Sequence, residues 1–213
     1  MTTLFITGTD TGVGKTTIAV MLLRQLNQQG YKTFAMKPIA SGCEYNKDQQ
    51  LENADALLLQ SASSLSDTYE RVNPFALTLP IAPHLSAKNM GITLDKNTII
   101  KKILSSIRHD ADFNIIEGAG GFCVPLNDHE LYSDVIAELS VPTILVVGLR
   151  LGCLNHAILT VQNMLQRKIN MIGWVANCID PEMKAVDENI ETLKRWIKQP
   201  CLGIVSYQRI KLV

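Results

Sequence analysis

The sequence predicts an α/β protein: a mostly parallel central sheet with helices on both faces. Three observations carry that expectation. Apolar, strand-like runs alternate with helical ones along the chain. Several of those runs, such as Phe113-Asn114-Ile115-Ile116 and Thr143-Ile144-Leu145-Val146-Val147, are apolar on both faces, as strands are when helices cover a parallel sheet from both sides. The first run leads into a glycine-rich loop that opens directly into a helix. The 213 residues suit one sizeable core, hence a single domain over 1–213.

The first strand is expected over 3–7, from Leu4-Phe5-Ile6, and the first helix over 15–29, from Ile18-Ala19-Val20-Met21-Leu22-Leu23. Between them lies Gly8-Thr9-Asp10-Thr11-Gly12-Val13-Gly14-Lys15-Thr16-Thr17. Strand, loop and helix in that order are the setting of a phosphate-binding loop, so the fold is P-loop NTPase-like. Gly12 and Gly14 let backbone N–H groups turn inward as an anion cradle, and the helix start adds its positive dipole end. Lys15 then meets the terminal phosphates and the Thr16 hydroxyl ligates Mg²⁺. The usual pattern has a glycine where Thr9 stands; here it comes one residue earlier, at Gly8.

A second strand, 32–37, ends in Ala35-Met36-Lys37-Pro38, and Pro38 holds Lys37 out of any helix. Two readings of Lys37 stand: a solvated lysine, or a second ammonium that stabilises a phosphoryl group in transfer. Ser41, beside Gly42, is a hydroxyl contact or a turn residue. Asn53 caps a helix over 53–60 in which Asp55 either serves the dipole or ligates a metal. The stretch from Val72 to His84 reads as a long, proline-rich loop, and His84 as structural.

A helix over 96–108 precedes the strand 112–117, which ends in Glu117-Gly118-Ala119-Gly120-Gly121. A strand-end carboxylate followed by small residues suits Mg²⁺ and phosphate, against the alternative of a plain glycine turn. A helix over 131–139, a strand over 142–148 and a helix over 153–167 follow. The junction Gly152-Cys153-Leu154-Asn155 is a helix start with free N–H groups suited to a carboxylate, or merely cap and core. The strand 170–177 ends at Asn177, whose amide both donates and accepts and so matches an adenine edge. A helix over 183–197 and a strand over 201–205 complete the pattern.

Net charge is zero and no stretch is strongly basic, which argues against sequence-independent nucleic-acid binding. Five scattered cysteines, with no Cys-x-x-Cys and no histidine at ligand spacing, fit reduced thiols and no zinc site. No signal-like start and no membrane-length apolar run is present, so a soluble, cytoplasmic protein is expected.

Taken together, these segments resemble the dethiobiotin synthetases. The match covers most of the chain: the loop from Gly8 to Thr16 with its displaced glycine, Lys37-Pro38-Ile39-Ala40-Ser41-Gly42, Asn53-Ala54-Asp55-Ala56-Leu57, Glu117-Gly118-Ala119-Gly120-Gly121, Leu151-Gly152-Cys153-Leu154-Asn155-His156-Ala157 and Gly173-Trp174-Val175-Ala176-Asn177. The resemblance implies an ATP- and Mg²⁺-dependent ligase that takes CO₂ onto 7,8-diaminononanoate and closes a ureido ring through a carbamate and its mixed anhydride with phosphate. It implies Lys15 and Lys37 as catalytic, and Thr16, Asp55 and Glu117 on Mg²⁺. ATP would contact Gly12, Val13, Gly14, Lys15, Thr16, Thr17, Asp55, Glu117, Gly118, Ala119, Gly120, Asn177, Cys178, Ser206, Tyr207 and Gln208. Thr11, Ser41, Gly152, Cys153, Leu154 and Asn155 would bind substrate, the last four from the neighbouring subunit of a homodimer. Many of the family place a proline where Ser206 stands. An ATP-switch protein of the partitioning and septum-placing kind shares the loop and sheet, but carries a lysine where this chain has Asp10.

Overall fold

The computed structural model describes residues 1–207. In chain order the elements are β1 (Thr2–Gly8), α1 (Lys15–Gln28), β2 (Thr33–Met36), β3 (Ile39–Ser41), β4 (Glu44–Tyr45), β5 (Leu51–Glu52), α2 (Ala54–Ala62), α3 (Tyr69–Val72), β6 (Phe75–Leu77), α4 (Pro83–Asn89), α5 (Lys96–Ser106), β7 (Phe113–Glu117), α6 (Tyr132–Leu139), β8 (Thr143–Leu149), α7 (Cys153–Gln166), β9 (Met171–Cys178), α8 (Val186–Trp196) and β10 (Cys201–Val205).

Strand residues alternate between two separate apolar clusters, as a period of two requires. Leu4, Ile6, Ile115, Ile144, Val146 and Val175 enter one cluster, with Ile18, Val20 and Leu23 of α1 and Leu59 of α2. Their neighbours Phe5, Ile116, Leu145, Val147 and Trp174 enter the other, with Ile99 and Ile103 of α5, Val135 of α6, Ala157 and Val161 of α7, and Ile190 and Leu193 of α8. Helices therefore cover both faces, and the sheet is buried between them. Its order is β10-β9-β8-β1-β7-β2, with every pair parallel. The carboxyl ends of β1, β7, β8 and β9 consequently share one edge, where ligands of such sheets bind.

Three expectations are corrected. The stretch 72–84 is not a featureless loop: β6 pairs with β3, and α4 begins with Pro83 at its first turn. Helix α8 starts at Val186 rather than 183, after Ala185 in a left-handed conformation with φ 55°. Helix α5 ends at Ser106, because Asn114 claims both the N–H and the carbonyl of Arg108, at 2.9 and 3.1 Å. Among the described residues no helix is long and apolar enough to cross a membrane.

Candidate functional site

The loop after β1 is shaped by two close approaches. Gly14 caps α1 at φ 86°, and a Cβ there would lie 2.1 Å from Asn177 Nδ2. A Cβ on Gly8 would meet Val13 Cγ2 at 2.6 Å, which gives the displaced glycine a physical reason. Asn177, wholly buried at the end of β9, donates from Nδ2 to Val13 O at 2.8 Å and so ties the loop to the sheet. Its Oδ1 has no hydrogen-bond partner among the described residues.

Lys15, the first residue of α1, is buried and donates to the carbonyls of Asp10 at 3.1 Å and Gly120 at 2.5 Å. Burial, reinforced by the nearby Lys37 ammonium, lowers its pKa to about 8. Lys37 follows β2 and projects into the same region. Its Nζ donates to Glu117 Oε1 at 2.5 Å and Asp55 Oδ2 at 2.9 Å. Burial alone would lower the Lys37 pKa, but Glu117 and Asp55 outweigh it and raise it. Burial pushes the Asp55 carboxyl up, and Lys37, with help from Thr16 and Lys15, holds it below its ordinary value. Lys37 is thus a charged centre between two carboxylates, and the solvated alternative falls away.

Thr16 Oγ1 donates to Glu117 Oε1 at 2.8 Å, and Glu117 Oε2 is buried without a partner among the described residues. A hydroxyl and two carboxylates converge with an acceptor unused, a donor set of hard oxygens that fits Mg²⁺. Among the described residues no group of three or more His, Cys, Asp or Glu side chains is placed to hold a metal alone.

These groups open on a cleft of about 660 Å³. Thr11, Gly12, Gly14, Lys15, Thr16, Thr17, Lys37, Ser41, Asp55, Glu117, Ala119 and Gly120 line it, together with an apolar group of Pro80, Ile81, Ala82, Pro83, Val124 and Pro125. Ser41 Oγ is buried and unpartnered there. Val13 is buried under the loop, and Gly118 N binds Ile6 O at 2.9 Å, so both shape the site from behind. Cys178 ends β9, and Ser206 follows Val205, which is registered beside Asn177. Ser206 is exposed and Tyr207 half-buried, while Gln208 lies outside the described residues. The Gly152–Asn155 turn does not line the cleft: Gly152 caps α7 at φ 92° without a side-chain cap, Cys153 is buried and Asn155 exposed.

Two residues that sequence reading missed hold Lys37 from behind. Asn73 Nδ2 donates to Lys37 O at 2.6 Å, and Tyr69 OH donates to Asn73 Oδ1 at 3.1 Å. Tyr69 OH also accepts from Asn53 N at 2.7 Å, at the cap of the helix that carries Asp55. Lysine and carboxylate are therefore set by one relay. No local signal marks it beyond a tyrosine and an asparagine four apart.

A glycine-rich loop between the central parallel strand and its helix, with a buried lysine at the helix start, defines an α/β nucleotide-binding protein of the phosphate-loop class. Solved structures agree on that fold: a ParA family ATPase from Chlorobium tepidum superposes with a TM-score of 0.56 at 17% identity, covering 98% of this chain and 85% of that one. The MinD cell division protein of Aquifex aeolicus gives 0.53 at 15%, covering 96% and 81%. Sequence comparison is more specific. A family model described as an AAA domain matches residues 2–210. The chain is 45% identical to the ATP-dependent dethiobiotin synthetase BioD of Pseudomonas aeruginosa over 205 residues, 96% of this chain and 90% of that protein. The same-named proteins of Cellvibrio japonicus and Xanthomonas oryzae pv. oryzae are 46% and 41% identical, covering 94% and 96% of this chain and 87% and 90% of theirs. The chain belongs to the family of ATP-dependent dethiobiotin synthetases.

Proposed function

We propose that this chain carboxylates 7,8-diaminononanoate with CO₂ and closes the ureido ring of dethiobiotin, converting ATP to ADP and phosphate. The observation that carries the reading is the Lys37 ammonium, seated between Asp55 and Glu117 and facing the same cleft as Lys15. Two buried cations at a phosphate loop suit a reaction whose reactants are a carbamate and a phosphoryl group, both anionic.

In the first step one amine attacks CO₂, a C–N bond forms and a proton is released, leaving a carbamate. A carbamate oxygen then attacks the γ-phosphorus of ATP, and the bond to the bridging oxygen breaks to release ADP. The second amine attacks the carbamoyl carbon, its proton departs, the carbon–oxygen bond to phosphate breaks and the ring closes. Lys15 orients the phosphates, and Lys37 offsets charge on the carbamate and the moving phosphoryl group. Ser41 contacts the diamine end, with Thr11 beside it. The apolar group from Pro80 to Pro83 excludes water from the methylene chain. Mg²⁺, held by Thr16, Asp55 and Glu117, would neutralise phosphate charge. Asn177, whose Oδ1 has no partner among the described residues, accepts from the adenine amino group, with Cys178, Ser206 and Tyr207 around the base. The direct test is ADP release from ATP and bicarbonate with and without the diamine. Release that depends on the diamine is expected, and release indifferent to it would sink the reading.

The substrate carboxylate lies several methylenes from the amines and needs its own anion site. The α7 start at Gly152-Cys153-Leu154-Asn155 supplies free N–H groups, and its position outside the cleft suits a site lent by the second subunit of a homodimer. Lys37→Ala and Asn155→Asp subunits, each defective, should then complement on mixing. Heterodimers with one intact site recover up to about half the normal turnover per dimer, as half of the shared sites escape both lesions. Demonstrated heterodimers without recovery would remove the shared site.

A further inference from the structure

Strands β1 and β8 lie side by side, with Gly8 opposite Val146, so the residues just beyond both ends meet at the carboxyl edge. There Arg150 Nη2 donates to Asp10 Oδ2. The other oxygen of Asp10 accepts from Thr11 N at 2.7 Å, and its backbone carbonyl accepts from Lys15 Nζ at 3.1 Å. Gly121 also packs against this stretch: a Cβ there would sit in ordinary contact, 3.4 Å from Thr9 O and 3.5 Å from Asp10 Cα. Arg150 is itself built into the launch of α7, since Cys153 N donates to Arg150 O at 3.0 Å. One side chain thus joins the loop that orients Lys15 to the turn that begins α7.

The pair is not a support of the fold. Its side chains are 43% and 38% exposed, and ion pairs so exposed contribute little to stability. What the pair does is restrict geometry: it is the contact that ties the Asp10 side chain to the α7 start, while Lys15 holds the Asp10 carbonyl. We propose that Arg150 is a positioning residue which, through Asp10, fixes the peptide that orients Lys15 and Thr11 and locks it to the α7 start, so that nucleotide bound at the loop orders residues 150–154.

Hydrogen exchange tests this without reference to the reaction. In the wild type, ADP with Mg²⁺ should slow exchange in peptides covering 9–16 and also in those covering 150–154. In Arg150→Ala the slowing at 150–154 should drop at least about twofold while that at 12–16 persists, with Tm shifted by less than about 3 °C. A kinetic arm rests on the ligase reading. There kcat should fall about tenfold, with KM for ATP and diamine within about threefold, because misplacement costs rate rather than affinity. Arg150→Lys should recover to within about threefold of the wild type. Joined to Asp10→Ala, Arg150→Ala should be no worse than the poorer single variant, since the two act as one unit.

Slowing at 150–154 that is absent in the wild type, or unchanged in Arg150→Ala, overturns the proposal. So does a raised diamine KM at normal kcat, which would make Arg150 a substrate contact. A Tm loss beyond about 5 °C in both Arg150→Ala and Arg150→Gln would make the pair a structural support and overturn it too. Intact exchange coupling in a protein without diamine-dependent turnover would sink the ligase reading and leave the lock in place.

Discussion

The two ends of strand β7 carry clusters made from the same parts and arranged to opposite effect. At the amino end Asn114 grips the backbone of Arg108, and the Arg108 guanidinium binds both oxygens of Asp110, at 2.6 and 2.7 Å, and Asp67 at 2.9 Å. Arg71 reaches Asp67 at 3.3 Å and the carbonyls of Ser105 and Ser106. At the carboxyl end, three residues along the strand, Glu117 meets Lys37 and Thr16, yet one of its oxygens has no partner among the described residues. Lys15 there donates to the backbone carbonyls of Asp10 and Gly120. Arginine forks close the first cluster onto carboxylates and main chain, which is how a guanidinium fixes structure. Lysine point charges keep the second one adaptable, with acceptors and donors left for a ligand. The closed cluster leaves neither oxygen of Asp67 or Asp110 unpaired, whereas the open one keeps a free acceptor among the described residues.

Breaking the open end should show the largest effect. Lys15→Ala should weaken ATP binding and cut kcat/KM by roughly 10²–10³, because it removes a cation from phosphates already bound before the reaction. Calorimetry with ATP and steady-state kinetics check both halves, and unaltered ATP affinity would place Lys15 outside the nucleotide site.

Breaking the closed end should leave kcat alone and lower stability. Asp67→Asn should cost about 2 kcal/mol, or roughly 4–8 °C in Tm, as a charge-assisted acceptor of several bonds is lost. Burial opposes ionisation of Asp67, but bonds from Arg108 and Thr68 and the charge of Arg71 hold its pKa below the ordinary 3.8. Its contribution is therefore present above the unfolded value near 3.8 and disappears as pH falls through the lower folded value. Thermal melts from pH 6 downward should lose less stability below pH 4 in Asp67→Asn than in the wild type. Parallel curves would show that Asp67 titrates alike folded and unfolded.

Much of this contrast was legible in the residues, but not all of it. The open end was readable because each of its groups stands where an apolar run stops: Gly8 after Leu4-Phe5-Ile6, Lys37 before Pro38, Glu117 after Ile115-Ile116. Which groups meet there was not readable from local pattern: Lys37 lies 18 residues from Asp55 and 80 from Glu117, and only the family resemblance grouped them, while it gave no sign of Arg150, 140 residues from Asp10. The short elements β3, β4, β5 and β6 escaped because two or three residues hold no period. Asn114 was submerged in an apolar strand; its amide is silent until Arg108 is seen folding back onto it.

The contrast rests most directly on Lys37. Lys37→Ala should also lower Tm, because Glu117 loses its buried cation, so the discriminating quantity is kcat. Diamine-dependent ADP release should show kcat reduced by roughly 10²–10³ with KM for ATP and diamine within about threefold, the pattern of a charge that matters in the transition state. Normal kcat with a raised KM would contradict the account and make Lys37 a binding residue only.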